Sequence, residues 1–287
     1  MTRLSVRKTY KLYIGGEFPR TESGRFYPVY AAKGKELLAN ACRGSRKDLR
    51  NAVVAARKAF AGWSGRTAYN RGQILYRIAE VSESRAPELE QELRRAGSSK
   101  GDARREVELS IERWVHFAGW ADKFPQILGS VNPVAGPYYN FTVPEPTGVV
   151  GIFAPETPAL SGLVDRLAPA IVGGNTVVAV PSESRPLAAI TLAEVFETSD
   201  VPGGVINLIS GLKSELVSWL ASHMDVNAID LGGVEDDALR RAAQEAAAEN
   251  VKRVVGAAGP AGDDGRPSLY AIRDFLEMKT VWHPMGV

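Results

Sequence analysis

Between residues 147 and 255 the chain alternates short apolar runs with longer segments of helical periodicity, and this alternation limits the fold more than any other feature. The runs GVVGIFAP, NTVVAVP, GVINLIS, VNAIDLGG and KRVVGA read as strands. Between them lie helices predicted over residues 160–172 and 187–198, over SELVSWLASH, and over the alanine-rich residues 238–250. Strands joined through helices are parallel, so the pattern implies an α/β fold with a doubly wound, mostly parallel, Rossmann-like sheet.

Upstream, YKLYIGGEF reads as a short strand with a glycine turn, and GRFYPVYAAKGKELLANACRG alternates as a β-hairpin. Ser45 is placed to cap a helix carrying Leu49, Val53, Val54, Ala56 and Phe60 on one face. Further helices are predicted over residues 70–84, 87–95 and 103–123, the last with Val107, Ile111, Trp114, Val115 and Ala118. The segment PYYNFTVPEP, bounded by Pro137 and Pro146, is aromatic and β-branched. Its prolines cannot donate to a ladder, so it is expected to be an exposed arm or edge strand and a contact surface. The stretch GAAGPAGDDGRP, residues 256–267, is a linker by composition. A short helical turn then leads to a strand running from Lys279 to His283.

The 35 basic and 33 acidic residues leave a net charge of +2, which argues against nucleic acid or anionic lipid as a partner. Runs such as Arg43 to Arg50 and Arg94-Arg95 read as solvated helix faces. No stretch approaches the ~20 apolar residues of a membrane span, and the first residues lack the apolar core of a signal peptide. A cytoplasmic protein with no membrane association is expected. The single Cys42 excludes an intramolecular disulfide and reads as a small buried hydrophobe. His116, on a helix surface, and His223 and His283 are too scattered for a metal site.

The segments SRKDLRNAVVAARKAFAGW, RGQILYRIAEV, EPTGVVGI, LAPAIVGGNTVVAVPSE, PGGVINLISG, ASHMDV and ENVKRV together resemble, in order, the coenzyme-domain half of aldehyde dehydrogenases. FLEMKTVWHP is similar to that family's C-terminal strand. The resemblance divides the chain into residues 1–130, the strand and helix part of a coenzyme-binding domain; 131–148, an oligomerisation arm; 149–255, the dinucleotide-binding core; 256–267, a linker in place of the catalytic domain; and 268–287, an oligomerisation strand.

It also implies where a cofactor would sit, at Pro155, Glu156, Thr157, Pro181, Glu183, Gly211, Gly232 and Gly233, with Glu156 and Glu183 at the carboxyl ends of neighbouring strands weighing most. The glycines are equally explained by strand entries and helix exits. The departures from the family bear on chemistry. Pro155-Glu156-Thr157 replaces a proline-aromatic-asparagine run whose asparagine donates to the oxyanion. Val180 replaces a ribose-binding lysine, although Glu183 matches the acidic partner. Ala257-Ala258-Gly259-Pro260 stands where the family carries its general-base glutamate, and the nucleophilic cysteine has no counterpart.

In the phosphate-facing turn, Asp230-Leu231-Gly232-Gly233-Val234 is followed by Glu235, Asp236 and Asp237, which compete with a phosphate for the helix N-terminus. One like-charge contact at ~4 Å with a dielectric of ~20 costs about 4 kcal/mol, roughly a thousandfold in affinity. The resemblance thus implies weak NAD or NADP binding at most and no catalytic residue. The function expected is that of a non-catalytic subunit. It would stabilise or regulate a full-length NAD(P)-dependent aldehyde dehydrogenase, held through residues 137–146 and 279–283. The alternatives are a stand-alone dinucleotide-binding module and an oxidoreductase completed by a partner's residues. A decayed gene product is a fourth reading, against which the uninterrupted core pattern argues.

Overall fold

A computed structural model describes residues 8–32, 36–256 and 267–286. Most of the linker reading, and the whole of Ala257-Ala258-Gly259-Pro260, lies outside the described residues.

The chain opens with Tyr10, Leu12 and Tyr13 buried, but the strand expected there is reduced to isolated bridges, Tyr10 with Ala41 and Tyr13 with Leu208. Gly15 and Gly16 turn the chain with φ of 66° and 87°, a region glycine enters without steric cost. The hairpin forms as read, β1 (Phe26–Tyr30) antiparallel to β2 (Leu37–Cys42). Helix α1 (Arg46–Ser64) starts in a capping box: the Ser45 hydroxyl accepts from the Asp48 amide, and the Asp48 carboxylate accepts from the Ser45 amide. Helices α2 (Ala68–Ser84), α3 (Ala86–Arg95) and α4 (Lys100–Trp120) follow. α4 begins three residues before the expected position because Ser99 caps it through the Asp102 amide.

A short α5 (Phe124–Leu128) and β3 (Ser130–Asn132), neither evident in the sequence, lead to β4 (Tyr138–Pro146). Then come β5 (Val149–Phe153), α6 (Ser161–Val172), β6 (Thr176–Val180), α7 (Leu187–Glu197), β7 (Ile206–Leu208), α8 (Lys213–Ser222), β8 (Ala228–Asp230), α9 (Asp237–Ala248) and β9 (Arg253–Val255). The tail supplies α10 (Leu269–Arg273) and β10 (Leu276–Pro284).

Strands β5 to β9 form one parallel sheet in the order β7-β6-β5-β8-β9. Chain order reverses at β5, so the crevice of a doubly wound sheet falls at the carboxyl ends of β5 and its neighbours. Every residue of β5 and β6 is buried, and the two-residue period of the strand divides them between two cores. Val150, Ile152, Val177 and Ala179 pack under α2, α4, α6 and α7. Val149, Phe153, Val178 and Val180 pack under α1, α8 and α9. Trp63 ties the first layer to the sheet, its indole N–H donating to the Ile171 carbonyl at 2.9 Å.

The arm and tail depart from expectation. β4 is the central strand of a three-stranded antiparallel sheet, β10-β4-β3, not an edge. Its prolines are tolerated because β3 pairs only with Asn140 to Thr142, leaving one side of Pro144 and Pro146 unpaired. The tail strand is longer than residues 279–283 and pairs with the whole of β4, from Leu276 opposite Pro146 to Pro284 opposite Tyr138. Each strand therefore pairs with the other within one chain. Cys42 is buried, its thiol directed at the Tyr10 carbonyl at 3.5 Å. His116 is half-buried rather than on the surface, packed against Phe117 and Trp120, and burial lowers its pKa.

Candidate functional site

The carboxyl ends of the parallel strands converge on a half-buried ion pair. β5 delivers Ala154, Pro155 and Glu156; β6 delivers Pro181, Ser182, Glu183 and Ser184; the turn after β7 delivers Lys213 at the first position of α8; and the turn after β8 delivers Gly232 and Gly233. The Lys213 ammonium bonds to the Glu156 carboxylate and also donates to the carbonyls of Ala154, at 2.7 Å, and Gly233, at 2.9 Å. Glu156 further accepts from the amides of Glu183 (3.0 Å) and Ser184 (2.9 Å) and from the hydroxyls of Ser182 (3.0 Å) and Ser184 (2.7 Å). Glu183 accepts from the Lys213 amide at 3.0 Å, so both glutamates singled out in the sequence are bound to one lysine residue.

Burial alone would raise the Glu156 pKa. The Lys213 ammonium and the Ser184 and Glu183 amides outweigh that effect and hold the carboxyl at about 2. A depressed folded-state pKa contributes stability that is complete above the ordinary value of 4.5 and is lost as pH falls toward 2. At about 1.4 kcal/mol per pH unit, this carboxyl contributes up to about 3 kcal/mol to the acid dependence. Urea unfolding of the wild type should therefore weaken steeply across that window, and Glu156→Gln should flatten the profile there; equal slopes would refute the assignment.

Two cavities flank this pair. One, of about 500 Å³, is lined by Glu156, Glu183, Lys213, Gly233, Glu235 and Asp236, and by Pro28 of β1. The other, of about 400 Å³, is lined by Pro155, Thr157 and Gly232, by Val255 at the end of β9, and by Tyr270 and Phe275 from the tail. Its floor holds a second ion pair. One Arg166 Nη bonds both oxygens of Asp230 at 2.6 and 2.5 Å, and the Gly232 amide donates to Asp230 at 2.8 Å. Asp165, also in this wall, pairs with Arg113 at 2.7 Å, yet burial still raises its pKa.

The structure thus divides the predicted residues. Glu156, Glu183 and Gly233 share one cavity, and Pro155, Thr157 and Gly232 the other. Pro181 is buried beyond β6, and Gly211 packs against Leu216 and Gly44; neither lines a cavity described above. The turn after β8 lies tightly on β5: a Cβ on Gly233 would stand 2.2 Å from the Ala154 carbonyl oxygen and 2.3 Å from that of Phe153. The helix after it begins at Asp237 rather than Ala238. Asp236 is its N-cap, accepting from the Leu239 amide at 2.9 Å, and Asp237 pairs with Arg240. Sequence reasoning missed Lys213, Ser182, Ser184 and Arg166. The available signal was charge balance, since Lys213 stands two residues after Gly211 at a strand end that faces two glutamates.

Residues 18–260 match the sequence profile of the aldehyde dehydrogenase family. Among curated relatives, "Aldehyde dehydrogenase, cytosolic 1" of Elephantulus edwardii is 32% identical over 260 residues, covering 88% of this chain and 51% of the relative. The "Putative aldehyde dehydrogenase DhaS" of Bacillus subtilis is 32% identical over 253 residues, 87% of this chain and 50% of the relative. Among solved structures, the NAD+ complex of aldehyde dehydrogenase from Bacillus cereus superposes with a TM-score of 0.80 at 28% identity, covering 86% of this chain and 50% of that one. HpcC from Thermus thermophilus superposes with a TM-score of 0.81 at 33% identity, covering 86% and 47%. The chain spans about half the length of the relatives it matches. With its profile match, its ordered coverage and its parallel sheet in agreement, this chain belongs to the aldehyde dehydrogenase family.

Proposed function

We propose that this chain is a non-catalytic subunit that assembles with a full-length NAD(P)-dependent aldehyde dehydrogenase in the cytoplasm and stabilises or regulates it. The observation that carries this reading is the small sheet. β10 is an edge strand whose outer side has no partner among the described residues, and every residue from Met278 to Pro284 is exposed. Val281 and Trp282 on it are 40% and 58% exposed. An open edge with apolar side chains is a template for another chain, and unless covered it invites aggregation.

Three features support the non-catalytic part. Thr157 stands at the position where the resemblance calls for an oxyanion donor, Cys42 is buried against backbone, and the expected dinucleotide crevice holds an internal ion pair. Only the short stretch from Gly256 to Ser268 joins β9 to α10, where the family's catalytic domain would intervene. Among the described residues no helix is long and apolar enough to cross a membrane.

Co-expression with a full-length aldehyde dehydrogenase from the same source should give a co-purifying complex. Aldehyde oxidation should be measurable in that complex and undetectable in this chain alone. A chain that purifies alone beside the homologue, or oxidises aldehyde without it, contradicts the proposal.

A further inference from the structure

The family reading implies a nicotinamide dinucleotide at the carboxyl ends of β5 and β6, and the residues found there do not fit one. A doubly wound sheet binds a pyrophosphate with free backbone amides and the start of a helix. Here the amides of Glu183 and Ser184, at the end of β6, are both taken by the Glu156 carboxylate, an internal anion. The cap of α9 is taken by the Asp236 carboxylate. Among the described residues the one cation in the cavity wall, Lys213, is 10% exposed along its side chain and has its charge matched by Glu156. The wall groups with charge to spare are Glu183, Glu235 and Asp236, which repel phosphate. Gly233 leaves no gap between the β8–α9 turn and β5 for a phosphate to enter.

We infer that Lys213 and Glu156 are built-in occupants of this crevice, closing it to NAD and NADP and clamping the strand ends without a cofactor. Lys213 reaches β5 through Ala154, the turn after β8 through Gly233, and, through Glu156, the end of β6. A ligand bridging the same elements would order them only when bound; this pair orders them permanently. The inference concerns the cofactor crevice alone and stands whether or not β10 recruits a partner.

The test combines calorimetry with thermal unfolding of the full chain. With NAD+ or NADP+ at about 1 mM, no binding heat and no shift in Tm are expected, whereas a site of about 10 µM affinity would raise Tm by several degrees. Lys213→Met should lower Tm by about 10 °C, because it strands the Glu156 charge in a half-buried site. Lys213→Met combined with Glu156→Gln should recover part of that loss, since the glutamine removes the charge but keeps one of the two oxygens that accept from the Glu183 and Ser184 amides. Saturable binding of either dinucleotide with a Kd below about 100 µM overturns the closure. A double variant no more stable than Lys213→Met, or a single variant as stable as the wild type, overturns the clamp.

Discussion

Deleting residues 268–287 is expected to abolish cooperative folding, whereas ending the chain after Met278 is expected to leave a folded protein. The two truncations differ by the anchor of the tail. Ile272, Phe275 and Leu276 are 0%, 3% and 1% exposed and belong to the main core with Leu163, Leu167 and Ile171 of α6. At about 1.5–3 kcal/mol per buried large apolar side chain, their loss amounts to about 4.5–9 kcal/mol, comparable to the whole stability of an ordinary domain. Backbone bonds go with them. The Phe275 carbonyl accepts from the Asn175 side chain at 3.0 Å and from the Thr147 amide at 3.2 Å, so deletion also strands two donors. From Met278 onward the strand is exposed and gives up little apolar burial. Urea unfolding followed by circular dichroism checks this: the longer deletion should show no sigmoidal transition, and the shorter one should keep it. A sigmoidal transition in the longer deletion would mean that the tail is not part of the core.

Replacing Arg166 by methionine is expected to destabilise the chain by about 3–5 kcal/mol, the range for breaking a buried ion pair by removing one partner. Asp230 lies at the end of β8 and its side chain is 3% exposed; Arg166, at 12%, meets both of its carboxylate oxygens through one nitrogen. Without the guanidinium, the carboxylate retains, among the described residues, only the Gly232 amide. The neighbouring Asp274 has its pKa raised by burial and then by Asp230, against the opposing pull of Arg253 and Arg273. The checking measurement is the urea midpoint at constant slope. A loss under about 1 kcal/mol would place the pair with weakly contributing surface contacts.

Much of the fold was legible in the sequence, and the reason lies in particular segments. GVVGIF and NTVVAV are short apolar runs because β5 and β6 are covered on both faces, and their place between helical segments makes them readable as parallel strands. Ser45 followed by Asp48 marks the start of α1 through a local bond that needs no tertiary contact. The place of β4 was not legible. Its prolines argue for an edge, and only the short reach of β3 reconciles them with a central position.

The same divide separates the parts of the candidate site. Glu156 and Glu183 were found because a strand's carboxyl end is a position readable from the sequence. Lys213 was not, because its meaning depends on Ala154, Glu156 and Gly233, which are distant in sequence and meet it only in the folded sheet. Six of the eight predicted cofactor positions divide between the two cavities for a related reason. Consecutive residues after a strand, such as Pro155 and Glu156, can lead into different cavities.

The tail has two separable parts, a buried anchor and an exposed strand, and the proposed assembly runs through the second. Native mass spectrometry of this chain co-expressed with a full-length aldehyde dehydrogenase from the same source should show a defined mixed oligomer. The oligomer should be lost when the chain ends after Met278, with the shortened chain still folded. A monomer or homo-oligomer that ignores the homologue, or a mixed oligomer indifferent to the truncation, would contradict a subunit that assembles through β10.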